Sequence, residues 1–380
     1  MNPNVQGMYC ILCGKELETG AYPFGCESCR KKGTPASVSL RYSNGFSIDQ
    51  SRHGMARYHS VLPYGPNELE YLGEGGTPLV PLSKLSGELG IYRLFSKNEF
   101  QNPTGSHKDR MNPFIIAYAR EMNYSMVAAA SSGNEGISLS CYAGAARIPC
   151  TIVATKQMNA LWKKAITATG AKIVFTSNSH DRWTYIREYV KSGEWLSATN
   201  MIDPPVGSSC YGVQGYKTIA YELYEQMPDK LADYIMVPVG RGDLLWGIYE
   251  GFADLKKAGL ISEIPALVAV EPFPRLERVK SVADCGRHYQ GSYGATPSIG
   301  GDTVTVQSYL ALKKSGGFAV SATQELVQEA INRMGQNGLY LEEASALSVV
   351  CLEHLIQAKK ISKESSVVLL ATSYGFKNII

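Results

Sequence analysis

The sequence predicts an α/β protein with two lobes, each a doubly wound parallel sheet, preceded by a small amino-terminal ribbon folded on four cysteines. Three observations carry this. From about residue 62 onward, short apolar runs alternate with amphipathic stretches in the rhythm of βαβ units. Turns rich in glycine and hydroxyl residues fall between a strand pattern and the helix pattern that follows, which is the carboxyl edge of a parallel sheet, where ligands bind. Two Cys-x-x-Cys pairs fall within the first 29 residues.

Composition sets the frame. A chain of 380 residues has room for roughly two to three domains. With 44% hydrophobic and 19% charged residues it lies far from the compositions that stay disordered. The formal charge of +3 is spread without a basic run, so the whole-chain field points to neither nucleic acid nor an anionic membrane. Residues 1–7 lack the apolar core of a secretory signal, and no apolar run approaches the roughly 18 residues of a membrane span. The expectation is a cytoplasmic protein with no nucleic-acid and no membrane partner. Five dispersed cysteines (Cys141, Cys150, Cys210, Cys285, Cys351) read as small buried hydrophobes in a reducing compartment.

The ribbon comes first. Cys10 and Cys13 are separated by twelve residues from Cys26 and Cys29, a spacing that places four thiolates around one structural Zn²⁺, and Gly14 suits the tight turn of the first knuckle. Four protein ligands leave no open coordination position, so the metal's task is to fold residues 1–40. A redox pair and a nucleic-acid-binding ribbon are the alternatives. Paired copies outside a βαβ context argue against the first, and Glu16, Glu18 and Glu27 offset Lys15, Arg30, Lys31 and Lys32 against the second.

Beyond the ribbon, strands are expected at residues 125–130, 149–154, 171–175, 232–238, 266–270 and 367–370. Helices are expected at 111–122, 136–147, 160–169 and 244–258, and the Gly- and Ser-rich stretch 283–303 reads as a long loop near a site mouth.

Four short segments carry chemistry. Asn102-Pro103-Thr104-Gly105-Ser106-His107-Lys108-Asp109-Arg110 is a Pro/Gly turn that delivers Lys108 to a helix amino terminus, where the unfavourable dipole suits a Schiff-base amine. Ser131-Ser132-Gly133-Asn134-Glu135-Gly136 follows a strand and opens a helix; its amides and hydroxyls suit a carboxylate, or simply cap the helix. Gly240-Arg241-Gly242-Asp243-Leu244 lets backbone amides approach a phosphate, with Asp243 turned away or capping the helix. It matches neither a Walker loop nor a dinucleotide fingerprint. Thr372 and Ser373 put hydroxyls at the end of the last strand, where they serve a ligand or close a turn.

In this order and at these distances the segments resemble the threonine synthase group of fold type II pyridoxal-phosphate enzymes, in the tryptophan synthase β superfamily. Glu74-Gly75-Gly76-Thr77-Pro78-Leu79, Lys97-Asn98-Glu99, Gly215-Tyr216-Lys217-Thr218, Glu342-Glu343-Ala344-Ser345-Ala346 and the stretch from Thr372 to Lys377 complete the match. The resemblance implies pyridoxal 5′-phosphate as cofactor. It implies Lys108 as the lysine bonded to it and, once freed, the base at the substrate Cα. Asn134 is then the partner of the cofactor's 3′-oxygen, while Ser131, Ser132, Gly133 and Asn134 form the substrate-carboxylate loop. Gly240, Arg241, Gly242, Asp243 and Leu244 cradle the phosphate, and Thr372 faces the pyridine nitrogen, with Ser373 one register away. It further implies a large cofactor-binding domain of residues 41–100 and 205–380, a small domain of residues 101–204, and a homodimer. A neutral hydroxyl does not keep the pyridine nitrogen protonated as a carboxylate would, which favours elimination or replacement at Cβ or Cγ over transamination.

The sequence departs from the group at three places. Gly212 stands where an arginine that clasps the substrate's phosphate is expected; Arg110, Lys163, Lys164 and Arg241 are the cations left to replace it, each equally readable as a solvated surface charge. His107 replaces the usual Phe, and Ser373-Tyr374 replaces the usual Gly-His. The expected activity is a lyase or synthase of amino-acid metabolism, catalysing replacement or elimination at Cβ or Cγ of a small amino acid that bears a side-chain leaving group. A cysteate synthase-like replacement, a serine or threonine dehydratase-type elimination, and a non-catalytic zinc-ribbon nucleic-acid binder are the alternatives.

Overall fold

The computed structural model describes residues 1–43 and 45–378, the side chain of residue 378 excepted. The ribbon is a three-stranded antiparallel sheet in the order β2-β1-β3, made of β1 (Val5–Cys10), β2 (Glu16–Leu17) and β3 (Val38–Tyr42). The chain then lays down β4 (Leu79–Pro81) and β5 (Arg93–Lys97), and leaves to build a second sheet from β6 (Met126–Ala130), β7 (Cys150–Thr155), β8 (Lys172–Thr176) and β9 (Trp195–Ser197). It returns with β10 (Tyr234–Pro238), β11 (Ala266–Glu271), β12 (Phe318–Ser321) and β13 (Ser366–Leu370). The six-stranded sheet runs β12-β11-β10-β13-β5-β4 and the four-stranded one β8-β7-β6-β9. All neighbours within these two sheets are parallel except β4, an antiparallel edge on β5.

The strands read as continuous apolar runs because both faces are covered. Met236, Val268, Val270, Val367 and Leu369 turn to one side of the large sheet, against helices Ser83–Leu89, Val327–Gln336 and Glu343–Gln357. Their alternates Ile235, Val237, Leu267, Ala269, Val368 and Leu370 turn to the other, against Lys217–Gln226, Asp243–Lys257 and Val306–Ser315. In the small sheet Ala128 and Val153 pack with Ile186, while Val127, Ala129 and Ile152 face the main core. This is the doubly wound α/β arrangement expected from the sequence, and the strand and helix boundaries fall within a few residues of those predicted. The stretch expected as loop at 283–303 contains one short 3₁₀ turn of its own, Pro297–Ile299, and is entered through another, Val282–Asp284.

The ribbon is docked on the main core. Met8, Cys10, Cys26, Cys29 and Leu40 are buried in it. Below them lies a polar seam in which Tyr9 and Ser39 donate to Glu250, Gln214 donates to Ser39 and Glu250, and Tyr42 donates to Gln214. Among the described residues no helix is long and apolar enough to cross a membrane.

Candidate active site

Four strand ends build the site. β5 leads into the lysine segment, β6 into Ser131–Asn134, β10 into the glycine loop and β13 into Thr372 and Ser373. β10, β13 and β5 are neighbours in one sheet, so three of the four segments emerge side by side at its carboxyl edge.

The lysine segment is held from beneath by buried charge. Arg110 is fully buried and makes a two-pronged pair with Glu99 (2.6 and 2.7 Å) and another with Glu222 (2.7 and 2.8 Å). Lys97, also fully buried, adds a 2.6 Å bond to Glu222. The expectation that Arg110 is a solvated charge, or a replacement phosphate anchor, is therefore corrected: two carboxylates from β5's exit and from helix Lys217–Gln226 consume its guanidinium. Asp109 closes the turn, accepting from Thr104 N (2.7 Å), Thr104 Oγ1 (2.6 Å) and Ser138 Oγ (2.6 Å). Gly105 supplies the left-handed residue of that turn, at φ 81°.

On this base Lys108 points to Tyr216, with Nζ 3.2 Å from the phenol oxygen. Burial pushes the Tyr216 phenol well above its ordinary range, so it stays protonated and donates its own hydrogen to Met111 Sδ at 3.0 Å. His107 lies alongside, its ring 5.6 Å from that of Tyr216. Burial and then the charge of Lys108 hold its imidazole neutral, and Nδ1 sits 3.3 Å from the Thr372 carbonyl, which accepts only, so Nδ1 carries the hydrogen.

Asn134 is the node between the lobes. Its Oδ1 accepts from Lys377 Nζ (2.8 Å) and Ser373 Oγ (3.1 Å), and its Nδ2 donates to Glu342 Oε2 (2.7 Å). These partners fix the orientation of the amide, because an ammonium only donates and a carboxylate only accepts. One Nδ2 hydrogen remains for a ligand. Ser131 Oγ folds the loop on itself, receiving Gly133 N and Gly136 N at 3.1 Å each, while Ser132 Oγ ties the loop to the end of β7, receiving Thr155 N at 3.2 Å. A side chain at Gly133 would meet the Trp162 ring at 2.1 Å, so the indole lies directly on the loop. The Thr372 hydroxyl pairs with Ser345 Oγ at 2.7 Å.

In the glycine loop, Gly242 takes φ 79° and leads into the fifteen-residue helix Asp243–Lys257. Asp243 turns its carboxylate away, accepting from Ser208 N and Oγ (2.8 Å each) and Gln307 Nε2 (2.6 Å). Arg241 lies over the Trp183 ring at 5.0 Å, and its buried Nε has no acceptor. A loop of donors at a helix amino terminus, with an arginine nitrogen lacking an acceptor, is the deficit that a phosphate fills. Lys108, Asn134, Thr372 and the glycine loop thus fit pyridoxal phosphate in chemical type.

Tyr216, Glu342 and Lys377 sit inside motif matches that the sequence singles out, but their contacts with Lys108 and Asn134 span 108, 208 and 243 positions and leave no local trace. Trp162 gives no sequence signal at all. Lys163 and Lys164 are exposed.

In the ribbon the four sulfurs gather within 4.8 Å of one another, with Cys10 and Cys29 3.6 Å apart and Cys13 and Cys26 3.9 Å apart. A tetrahedron of thiolates at the usual Zn–S distance has edges of about 3.8 Å.

Comparison with known proteins agrees with this geometry. Residues 71–373 match the model of the family described as pyridoxal-phosphate dependent enzyme. The threonine synthase of Methanocaldococcus jannaschii is 28% identical, covering 97% of this chain and 92% of that one. The threonine synthase of Methanosarcina acetivorans is 29% identical, covering 97% and 91%. Among solved structures, the L-serine ammonia-lyase of Rhizomucor miehei superposes with a TM-score of 0.66 at 22% identity, over 78% of this chain and 93% of that one. Threonine deaminase isoform 2 of Solanum lycopersicum gives 0.66 at 20% identity, over 80% of each. The family match spans the lysine segment, the Ser131–Asn134 loop, the glycine loop and Thr372, and the chain belongs to the pyridoxal-phosphate dependent enzyme family.

Proposed function

We propose that the chain catalyses a threonine synthase-like replacement or elimination at Cβ or Cγ of a small amino acid carrying a side-chain leaving group. The observation that carries this is the convergence of Lys108, Asn134 and the Thr372–Ser373 hydroxyls on one crevice, through the contacts of His107 with Thr372 and of Ser373 with Asn134. When bound, the cofactor supplies the electron sink for a negative charge at the substrate Cα. Lys108 Nζ removes the Cα proton and can return it to the departing group. Tyr216 orients the amine, and the remaining Nδ2 hydrogen of Asn134 serves the cofactor's 3′-oxygen. The Ser131–Asn134 loop binds the carboxylate, the amides of 240–244 the phosphate, and the Thr372 hydroxyl, shared with Ser345, faces the ring nitrogen.

The leaving group is constrained by what the site lacks. A side chain at Gly212 would meet the Ile115 side chain at 2.9 Å, so this position is packed against the core and a larger residue there would have to displace Ile115. With Arg110 consumed, Lys163 and Lys164 exposed and Arg241 assigned to the cofactor's phosphate, none of the four is a buried cation free for an anionic side-chain group. The packing of Gly212 also favours a second reading, ammonia-releasing elimination from a hydroxy amino acid, which needs no such anchor.

The four cysteines are read as a structural Zn²⁺ site, in line with their tetrahedral spacing. A ribbon of residues 1–40, a large domain of 41–100 and 205–380, a small domain of 101–204, a homodimer and a cytoplasmic setting complete the reading, the two separate parallel sheets being the support for the division. The test is a spectral screen of the loaded enzyme with phosphoserine, phosphohomoserine, acetylserine, serine and threonine. A visible cofactor band that responds to one of them supports the reading. Protein that acquires no such band, or a Lys108→Ala variant that keeps the lysine-bonded form, overturns it.

A further inference from the structure

The cysteine ribbon reaches the glycine loop through two side chains. Each of its knuckles gives one backbone bond to the residues that lead into β3. Cys26 N donates to the Ala36 carbonyl at 2.9 Å, and Ile11 N, next to Cys10, donates to the Ser37 carbonyl at 3.2 Å. The Ser37 hydroxyl extends to two acceptors, the Val206 carbonyl and Gln307 Oε1 (3.0 Å), which share its one hydrogen. Gly25, just before Cys26, is packed on the same spot: an added Cβ would lie 2.4 Å from Val206 Cγ2.

Gln307, 1% exposed on helix Val306–Ser315, carries the contact onward. Its Nε2 donates to Asp243 Oδ1 at 2.6 Å and to the Arg241 carbonyl at 3.1 Å. Both partners only accept, so the amide's orientation is fixed and Oε1 is left for Ser37. Val206 enters the same junction. Two residues on, Ser208 N and Oγ each donate to the Asp243 carboxylate at 2.8 Å, and a Cβ at Gly207 would lie 2.6 Å from Gln307 Nε2. Ser37 therefore touches both segments that hold Asp243, the first residue of the helix Asp243–Lys257. Where Asp243 is seated sets the direction of the Gly240–Leu244 amides. Such a junction transmits a change when one side of it has two states. A Cys₄ ribbon folds on its metal, and when the thiolates are released the knuckle bonds that hold Ser37 against Gln307 are released with them.

We propose that Gln307 is a positioning residue for the phosphate loop and that Ser37 couples it to the ribbon, so that metal and pyridoxal phosphate strengthen each other's binding. Linkage makes the effect reciprocal. The factor by which bound metal raises cofactor affinity equals the factor by which bound cofactor raises metal affinity, about 5- to 150-fold between coupled sites. The inference rests on the reading of residues 240–244 as the phosphate loop and of the four cysteines as a Zn²⁺ site.

The test is an equilibrium competition for Zn²⁺ between the full chain and a chromophoric chelator, with and without saturating pyridoxal phosphate. In the wild type the cofactor should raise Zn²⁺ affinity at least about fivefold. In Ser37→Ala, which leaves Gln307 and the glycine loop in place, the factor should fall toward one. Zn²⁺ affinity indifferent to the cofactor in the wild type, or a factor that survives in Ser37→Ala, overturns the coupling. Tyr9→Phe is the control: it removes a different bond from ribbon to core, the one to Glu250 at 3.1 Å, and should keep the full factor. An equal loss there would make the effect one of ribbon docking alone and overturn the path through Ser37. Gln307→Met tests the positioning role. The ³¹P resonance of the bound cofactor should move while the lysine-bonded visible band stays, and an unmoved resonance overturns that role. A chain that acquires no cofactor band overturns the proposed function and this inference with it; a chain that shows the band without the coupling loses this inference alone.

Discussion

Lys108 and Tyr216 meet at 3.2 Å, and each is tied to the same buried ion cluster. Arg110, two residues beyond Lys108, pairs with Glu222, which lies on the helix that begins one residue after Tyr216. The amine and the phenol that orients it thus rest on one rigid support reaching back to β5 through Lys97.

Tyr216→Phe keeps the ring and removes the oxygen. Hydrogen bonds to charged groups contribute about 1.5–3 kcal/mol, and at the low end of that range kcat should fall roughly tenfold. Bound cofactor, read by its visible band, should be retained, since the phenol touches the lysine and not the phosphate loop. Unchanged kcat in steady-state assays would show that Lys108 needs no partner.

Arg110→Met leaves Glu99 and Glu222 buried with the single charge of Lys97 and the neutral donors Thr77, Asn102 and Gly76 N beside them. Removing one partner of such a cluster costs about 3–5 kcal/mol, measurable by urea unfolding. The pH dependence gives a second check. Burial raises the Glu222 carboxyl, but Arg110 and Lys97 outweigh it and hold the group well below its ordinary 4.5. Its folded value lies below its unfolded one, so its contribution is present above 4.5 and is lost as pH falls. The variant should lose less stability than the wild type on acidification.

Gly242→Ala tests the phosphate loop. The residue sits at φ 79°, and an added Cβ would lie 2.4 Å from Ser308 Cβ, so the backbone must shift. Strain of about 1–2 kcal/mol in the left-handed region tilts the amides that line the loop. Titration of pyridoxal phosphate into the cofactor-free chain should show at least roughly tenfold weaker binding. Equal affinity would place the phosphate elsewhere.

What could be read in advance follows physical lines. The strands are legible because Val367, Val368, Leu369 and Leu370 are apolar without alternation, as burial of both faces demands. The cysteines are legible because metal geometry fixes their spacing. Arg110 is misread because arginine is rarely buried unpaired, and its partners Glu99 and Glu222 lie 11 and 112 positions away.

Lys377 offers the sharpest pH test. Burial pulls its ammonium down to about 8, against the opposing pull of Asp109 and Glu342. Below that pH it donates a charged hydrogen bond to Asn134 Oδ1 and, with Ser373, keeps Nδ2 directed to Glu342. Above it the charged donor is lost and the amide loosens, so kcat/KM should decline as pH rises through about 8. Unfolding would be the rival explanation, but the sign of the linkage separates the two. The folded value lies below the ordinary 10.5, so the native state sheds this proton first, and the group's contribution to stability rises with pH between about 8 and 10.5. Activity should therefore fall while this group adds to stability. In Lys377→Gln the limb near pH 8 should vanish from the profile, at a lower plateau, because a neutral amide donor at that position does not titrate. The same limb surviving in the variant, or a wild-type decline that follows loss of the circular dichroism signal, would assign it to another group.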